Sequence, residues 1–422
     1  MGRPGPAAGL LAVTALAALV AGCSGSMVNS ASTRSSGPHT PAASAPPPAQ
    51  VPVVAAGKPQ QAAHWGTFFG GKKGVFVTSL VPVRVTLPGR ITEIGSSNSS
   101  QYALLANGTL YAWGLGTQGE LGDGQKQNSA TPVQVRFPAG VRIASIPVDA
   151  MPYDTGLAVD TTGHVWGWGH NHGGELCTGN HRQFLTPVRL PMQQVSALAG
   201  ASNHAVYDAA GTVVACGQNV QGDLGIGSRR STTRPVRVAR LGGKKVTELF
   251  ASFANSAALT SGGQYLDWGY DAQGQLGDGK VRRPSNVPVL VPLRAPVTQA
   301  SEGGSLWNNG QTLVKLADGS LWAWGDGGAF QLGNGKARNQ PSPARFRSPP
   351  GVSYVRLATG SATSYAVTST GAVYAWGISR LGQIGNGTTT VVRVPVRIVT
   401  GARLISSTAD NVVVSLDGSA RN

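Results

Sequence analysis

Acidic side chains are scarce in this 422-residue chain: 18 Asp and Glu stand against 34 Lys and Arg, for a formal charge of +16. Charged residues make up only 12%, about half the usual share. Long apolar runs are missing apart from one near the N-terminus, which excludes a polytopic membrane protein. The patterns G-x-S-x-G, H-E-x-x-H and G-x-x-x-x-G-K-[ST] do not occur, so the usual esterase, zinc-protease and P-loop chemistries have no foothold. No 3.6-residue apolar period persists, so helices are not expected. What the chain does have is glycine, 59 residues, about twice average usage. Without a G-X-Y period that abundance means many tight turns. A hydrophobic fraction of 41% is ample for a folded core.

Residues 1–22 read as an export signal. Arg3 supplies a short positive region, Leu10 to Ala21 an apolar stretch too short to span a bilayer comfortably, and the run ends in Val20-Ala21-Gly22-Cys23. That ending resembles the lipobox of bacterial lipoproteins. The resemblance implies a diacylglyceryl group on the Cys23 thiol, hence a lipid-anchored protein at the outer face of a bacterial cell membrane. An ordinary secretory signal that happens to contain a cysteine is the alternative. Residues 23–60 hold seven prolines and no acid, with Arg34 and Lys58 the only charges. Such a Pro/Ala/Ser segment buries too little apolar area to offset its ordering entropy and is expected to be a disordered tether.

Residues 61–422 repeat. Trp113, Trp168, Trp268, Trp324 and Trp376 each precede a glycine, and Cys216-Gly217 fills the one gap, at intervals of 48 to 56 residues. Five residues before each anchor stands a glycine (Gly108, Gly163, Gly211, Gly263, Gly319, Gly371). Eight after it stands an aliphatic (Leu121, Leu176, Leu224, Leu276, Leu332, Ile384). Nineteen or twenty after it stands a proline (Pro132, Pro187, Pro235, Pro288, Pro343, Pro395). Segments such as Thr109 to Trp113 are short, aromatic or β-branched and follow a turn glycine, as strands do. The Pro-Val-x-Val stretches alternate in and out, with a proline suited to an outer edge. About four short strands per ~50 residues is one propeller blade. A further copy starting at Ala402 lacks its Trp-Gly half, and His64-Trp65-Gly66 near the other end supplies it. The expected fold is therefore all-β, a seven-bladed propeller of four-stranded antiparallel blades, one of them closed by N- and C-terminal strands. The loop Gly70-Gly71-Lys72-Lys73-Gly74 departs from the pattern, because Lys73 stands where an aliphatic belongs.

The repeat Asp/Asn/Thr-Gly-x-x-x-Ala-Trp-Gly-x-x-x-x-Gly-Gln/Glu-Leu-Gly, as in Asn107–Gly122 and Asp318–Gly333, closely resembles the regulator of chromosome condensation repeat. The resemblance covers about His64 to Asn422 and implies the same seven-bladed propeller. It does not imply nucleotide exchange on the eukaryotic small GTPase, which an exported lipoprotein never meets. Secreted bacterial propellers of this class include a β-lactamase inhibitory one that acts by protein–protein binding, and the similarity to it is distant. Fold alone does not decide function.

Eight residues before each turn glycine lies a polar residue: Ser100, Thr155, Asn203, Asn255, Gln311, Thr363 and Asp410. If each begins an inner strand, the seven form a ring near the axis, either bonding loop backbone or facing a ligand. Two of the preceding loops are long and carry Tyr153, Asp154, Leu306, Trp307, Asn308 and Asn309. Exposed aromatics beside amides suit protein contacts or sugar stacking. Asp123 and Asp278 occupy equivalent turn positions rather than forming an acid/base pair. His170, His172, Cys177 and His181 read as polar loop residues rather than a metal site, and no cofactor is expected. Cys177 and Cys216, which replace a motif Gly and a motif Trp, are expected to be two separate buried thiols, with a disulfide as the alternative. The basic run Arg229, Arg230, Arg234, Arg237, Arg240, Lys244 and Lys245 is a solvated rim or a surface for an acidic partner. The resulting expectation is a non-catalytic, membrane-anchored module that binds an extracytoplasmic protein through one loop face, with no nucleic acid involved. The alternatives are an anionic cell-wall polymer as ligand, or an enzyme with Asp410, Asn203 or His204 converging at the propeller mouth.

Overall fold

The computed structural model describes residues 60–69, 76–147, 151, 154–304, 310–346 and 348–416. The export segment, Cys23, the tether up to residue 59, the loop Gly70 to Gly74, Tyr153 and Leu306 to Asn309 lie outside the described residues. The described residues form no helix. Their 28 strands make seven four-stranded antiparallel sheets, the seven blades expected.

The first blade shows the plan: Ile91–Ser96, Ser100–Leu105, Leu110–Gly114 and Ser129–Gln134 pair in that order. Neighbouring blades meet through their first strands, which are therefore innermost. The second strand has strands on both edges and blades on both faces, and it is buried along its whole length. The fourth strand is outermost and holds no fully buried residue in this blade. Every motif proline from Pro132 to Pro395 lies in such a fourth strand. There its missing N–H blunts an edge that would otherwise template further pairing. The Arg of the Pro-Val-Arg stretches (Arg84, Arg189, Arg237, Arg397) is exposed, while the residue after it turns inward, buried at Val85, Leu190 and Val238. Asp123 and Asp278 accept backbone N–H bonds two residues on (2.9 and 3.2 Å), as turn residues do.

The last blade is composite. Its order is Phe76–Leu87, Gln60–Phe69, Asn411–Leu416, Ala402–Thr408. Gln61 pairs with Leu416 and Trp65 with Val412, so the strand containing Trp65 closes the ring.

The seams between blades explain the Trp-Gly motif. Trp65, Trp113, Trp168, Trp268, Trp324 and Trp376 are all fully buried. Five of these indoles donate to a backbone carbonyl of the preceding blade: Trp168 to Glu120, Trp268 to Asp223, Trp324 to Gln275, Trp376 to Gln331 and Trp65 to Gln383, at 2.7–2.9 Å. Each of the five lies on a motif glycine two residues beyond that carbonyl. Added at Gly122, Gly225, Gly277, Gly333 or Gly385, a Cβ would stand within 2.6–2.9 Å of the indole, and all five have positive φ. Steric closeness and backbone conformation thus both require glycine. For Trp113 the equivalent positions are Lys72 and Gly74, outside the described residues.

One seam departs from this, and it corrects the expectation of two separate thiols. Cys177 and Cys216 form a disulfide between the second and third blades, with Cα atoms 5.6 Å apart. Cys177 stands at the glycine position, keeping positive φ (56°), and Cys216 at the tryptophan position. The two residues replaced are those that touch across every other described seam, so a covalent bond occupies the space of the indole–glycine contact.

Candidate functional site

In an antiparallel blade the first-to-second and third-to-fourth connections emerge at one end. The first of these gather on the axis, where every blade contributes to one cavity of about 130 Å³: Asn98, Met151, Ser202, Phe253, Glu302, Ser361 and Asp410 lie around it. The inner strands end in small residues, which lets seven turns approach so closely. Hydroxyls stitch neighbouring blades together there. Ser96 Oγ lies 3.0 Å from Ser406 Oγ and 2.7 Å from Thr408 Oγ1, and Ser301 Oγ lies 2.8 Å from Thr359 Oγ1. Glu302 is the exception, a carboxylate in register with Ser96, Gly200, Ala251, Thr359 and Ser407 of other blades. Its Oε1 accepts from Ser252 Oγ (2.9 Å) and its Oε2 from the Tyr265 hydroxyl (3.2 Å).

The seven polar positions lie at or beside the start of the second strand rather than on the innermost one. The axial positions belong to first strands because those make the blade-to-blade contacts. Asp410 lines the mouth, whereas Asn203 and His204 do not. His204 is buried, lies 3.0 Å from Ser256 Oγ, and is held neutral by burial, which lowers its pKa to about 4. Ser100, Thr155, Asn255 and Thr363 each donate to the carbonyl fifteen residues on (2.7–2.9 Å), just past the motif Trp-Gly. Gln311 donates to the Gly360 carbonyl (3.1 Å), Asn203 to Gln218 Oε1 (3.3 Å), and Asp410 accepts from Gln383 Nε2 (2.9 Å). These bonds tie each turn to a neighbouring loop and fix the shape of the mouth.

Asp154 belongs to a buried ionisable group at the seam of the first two blades. Burial first, then the Asp154 charge, raises Glu120 to about 7. Burial and Glu175 raise Asp154 to about 6 despite His170 nearby. Burial opposes ionisation of His170, yet its bond to Glu175 (3.0 Å) and the surrounding carboxylates hold it above its ordinary value. His172 meets His170 edge-on, ring centroids 4.3 Å apart, and Cys177 offers no thiolate, being disulfide-bonded.

A second buried acid went unnoticed in the sequence. Asp267 replaces the motif Ala before Trp268, and burial, then Glu302 and Asp271, push its carboxyl far up. The signal for Asp267 and Glu302 is their departure from their columns of the repeat.

The third-to-fourth-strand loops fringe the same face at larger radius, and in the third and fourth blades this fringe exposes several cations. Arg229, Arg230 and Arg234 in the third blade and Lys280 and Arg283 in the fourth are all exposed. Arg237, Arg240 and Lys245 continue down the rim toward the far face, while Lys244 is half-buried.

Comparison with known proteins agrees with this architecture. The family model "Regulator of chromosome condensation (RCC1) repeat" matches residues 107–148, 318–367 and 370–413. The chain is 30% identical to the ultraviolet-B receptor UVR8 of Arabidopsis thaliana over 282 residues, 66% of this chain and 62% of that protein. It is also 30% identical to the human E3 ubiquitin-protein ligase HERC2 over 302 residues, 68% of this chain and 6% of that protein. The match thus spans less than two thirds of either relative. Among solved structures, human WBSCR16 superposes with a TM-score of 0.72 at 19% identity, covering 85% of this chain and 99% of that one. Prp20p of Saccharomyces cerevisiae, described together with its binding to Gsp1p and histones, gives 0.72 at 21%, covering 85% and 92%. At such identities these structures show the fold alone.

Proposed function

We propose that this chain, a seven-bladed propeller of regulator of chromosome condensation (RCC1) repeats, is a non-catalytic binding module that engages a protein partner through its mouth face. Its similarity to propellers of this class, one described as binding Gsp1p and histones, supports a protein as the ligand. The observation that carries the choice of face is the convergence of one turn from each of seven blades on a single mouth. The two long loops carrying Tyr153 and Trp307 leave and rejoin the propeller at this end, beside Met151 and Asp154 and beside Gly304 and Gly310. Those two aromatics are the proposed contact residues, with Asp154, Leu306, Asn308 and Asn309 beside them.

The site of action is proposed to be outside the cell, with Cys23 lipid-modified and residues 24–59 as tether. An inter-blade disulfide supports an oxidising compartment. The experiment is photo-crosslinking in cells, with the cross-linker at Ser361 on the mouth face or at Asp318 on the far face. A discrete adduct from Ser361 and none from Asp318 is expected; equal labelling, or none from Ser361, removes the mouth-face reading. Cys23→Ser should release the protein from the membrane fraction, and continued membrane retention would refute the anchor.

A further inference from the structure

The loops of the third and fourth blades fuse into one surface on the rim of the mouth face. Gly227 N–H donates to the Asn286 carbonyl (2.8 Å) and Arg229 Nη2 to the Pro284 carbonyl (3.3 Å), so the third blade's loop rests on the root of the fourth blade's outer strand. On its other flank, Gly179 of the second blade donates to the Thr233 carbonyl (2.8 Å), beside Arg234. The resulting arc exposes Arg229, Arg230, Arg234, Lys280 and Arg283. Nearby carboxylates offset little of it. Asp223 is buried, and burial raises its carboxyl to about 7 against the pull of Arg229, while Asp271 and Asp278 are both engaged by Arg282 (3.6 and 2.6 Å). Two aliphatics stand bare in the same two loops, Val220 at 65% and Val281 at 58% exposure.

We infer that this arc binds an acidic protein segment whose carboxylates alternate with aliphatic side chains. The inference rests on the protein-binding role proposed above and specifies the partner's chemistry. Four of the five cations are arginines, whose planar forks match carboxylates in pairs. An anionic polymer that offers charge alone would leave Val220 and Val281 in water, whereas a protein segment covers them. A lipid surface is the poorer match, because the arc exposes no aromatic among the described residues and interfacial binding favours Trp, Phe and Leu.

The test titrates the full chain with four fluorescent probes: a peptide alternating Glu and Leu, a Glu/Ser peptide of equal charge, inorganic polyphosphate, and phosphatidylglycerol vesicles. Tightest binding to the Glu/Leu peptide, weakened by salt, is expected. Arg229→Glu with Arg230→Glu and Arg283→Glu should cost about tenfold or more in affinity. Val220→Ser with Val281→Ser should cost about threefold for the Glu/Leu peptide and nothing for the Glu/Ser peptide. All five side chains are exposed, and an unchanged melting temperature verifies folding. Equal or tighter binding of polyphosphate or vesicles, indifference to the valine changes, or no binding of any probe overturns the proposal. The cross-link from Ser361 separates the two readings: if the native chain gives that cross-link but binds no peptide, the mouth stands and the arc falls.

Discussion

The seam between the second and third blades and the indole seams elsewhere in the ring solve one problem with different chemistry. At the seam of blades four and five, Trp324 lies over Gly277 and donates to the Gln275 carbonyl (2.9 Å). At the seam of blades two and three, neither the indole nor the glycine is present, and a disulfide spans the gap. Position in the repeat is thus a pairwise property. Cys216 alone would leave a void where a ring belongs, and Cys177 alone would crowd an indole. Together they fill the space. The carbonyl of Glu175, which would have received the indole N–H, still accepts from the Tyr207 hydroxyl (3.0 Å).

This comparison can be broken first at an indole seam. Trp324→Ala removes a fully buried ring and leaves the Gln275 carbonyl without its donor, so a loss of about 3–5 kcal/mol is expected in denaturant unfolding. A loss below about 1 kcal/mol would show that the seams do not depend on the ring. Cys177→Ser with Cys216→Ser should cost about 2–4 kcal/mol, and reductant should shift the native melting temperature but not the variant's. Cys177→Gly with Cys216→Trp rebuilds the common seam and should recover much of that loss under reducing conditions; either single change should not.

The smallest effect sharpens the contrast among the seams themselves. Glu120 occupies a position that is Gln in the fourth, fifth and sixth blades, where Gln275, Gln331 and Gln383 accept the same backbone bond that Glu120 accepts from Gln118. Its folded pKa of about 7 lies above its ordinary 4.5, so the folded chain holds a proton that the unfolded chain has released between those values. Its contribution to stability is present below about pH 4.5 and is lost as pH rises through about 7. Glu120→Gln should therefore raise the melting temperature at pH 8, by the equivalent of about 2 kcal/mol, and leave it unchanged at pH 4.5. Equal shifts at both pH values would mean that the carboxyl is not titrating.

The ring was legible in the sequence because the residues that repeat are the ones forced by geometry. The motif glycines take positive φ under a ring, the prolines mark outer edges, and Trp65 pairs with the strand containing Val412. Residues that act through a partner in another blade were harder to see. The columns holding Cys177 and Cys216 could be aligned, but nothing in one column says that it faces the other. The polar residues from Ser100 to Asp410 were visible as a set, yet strand order alone decides that they flank the second strand rather than the first. Glu302 and Asp267 belong to no motif and stand out in the sequence only by departing from their columns; that each is buried in the other's field is visible only in the fold.

The composite blade also sets a timetable. Partners such as Gln61 and Leu416 lie some 355 residues apart in the chain, so the ring cannot shut until residue 416 has been synthesised and delivered to a strand made at the outset. During that interval the strand around Trp65 must be kept from pairing elsewhere, because an unpaired strand edge is open to misassembly. Truncating the chain before Asn411 should thus abolish assembly of the whole wheel rather than trim one sector from it.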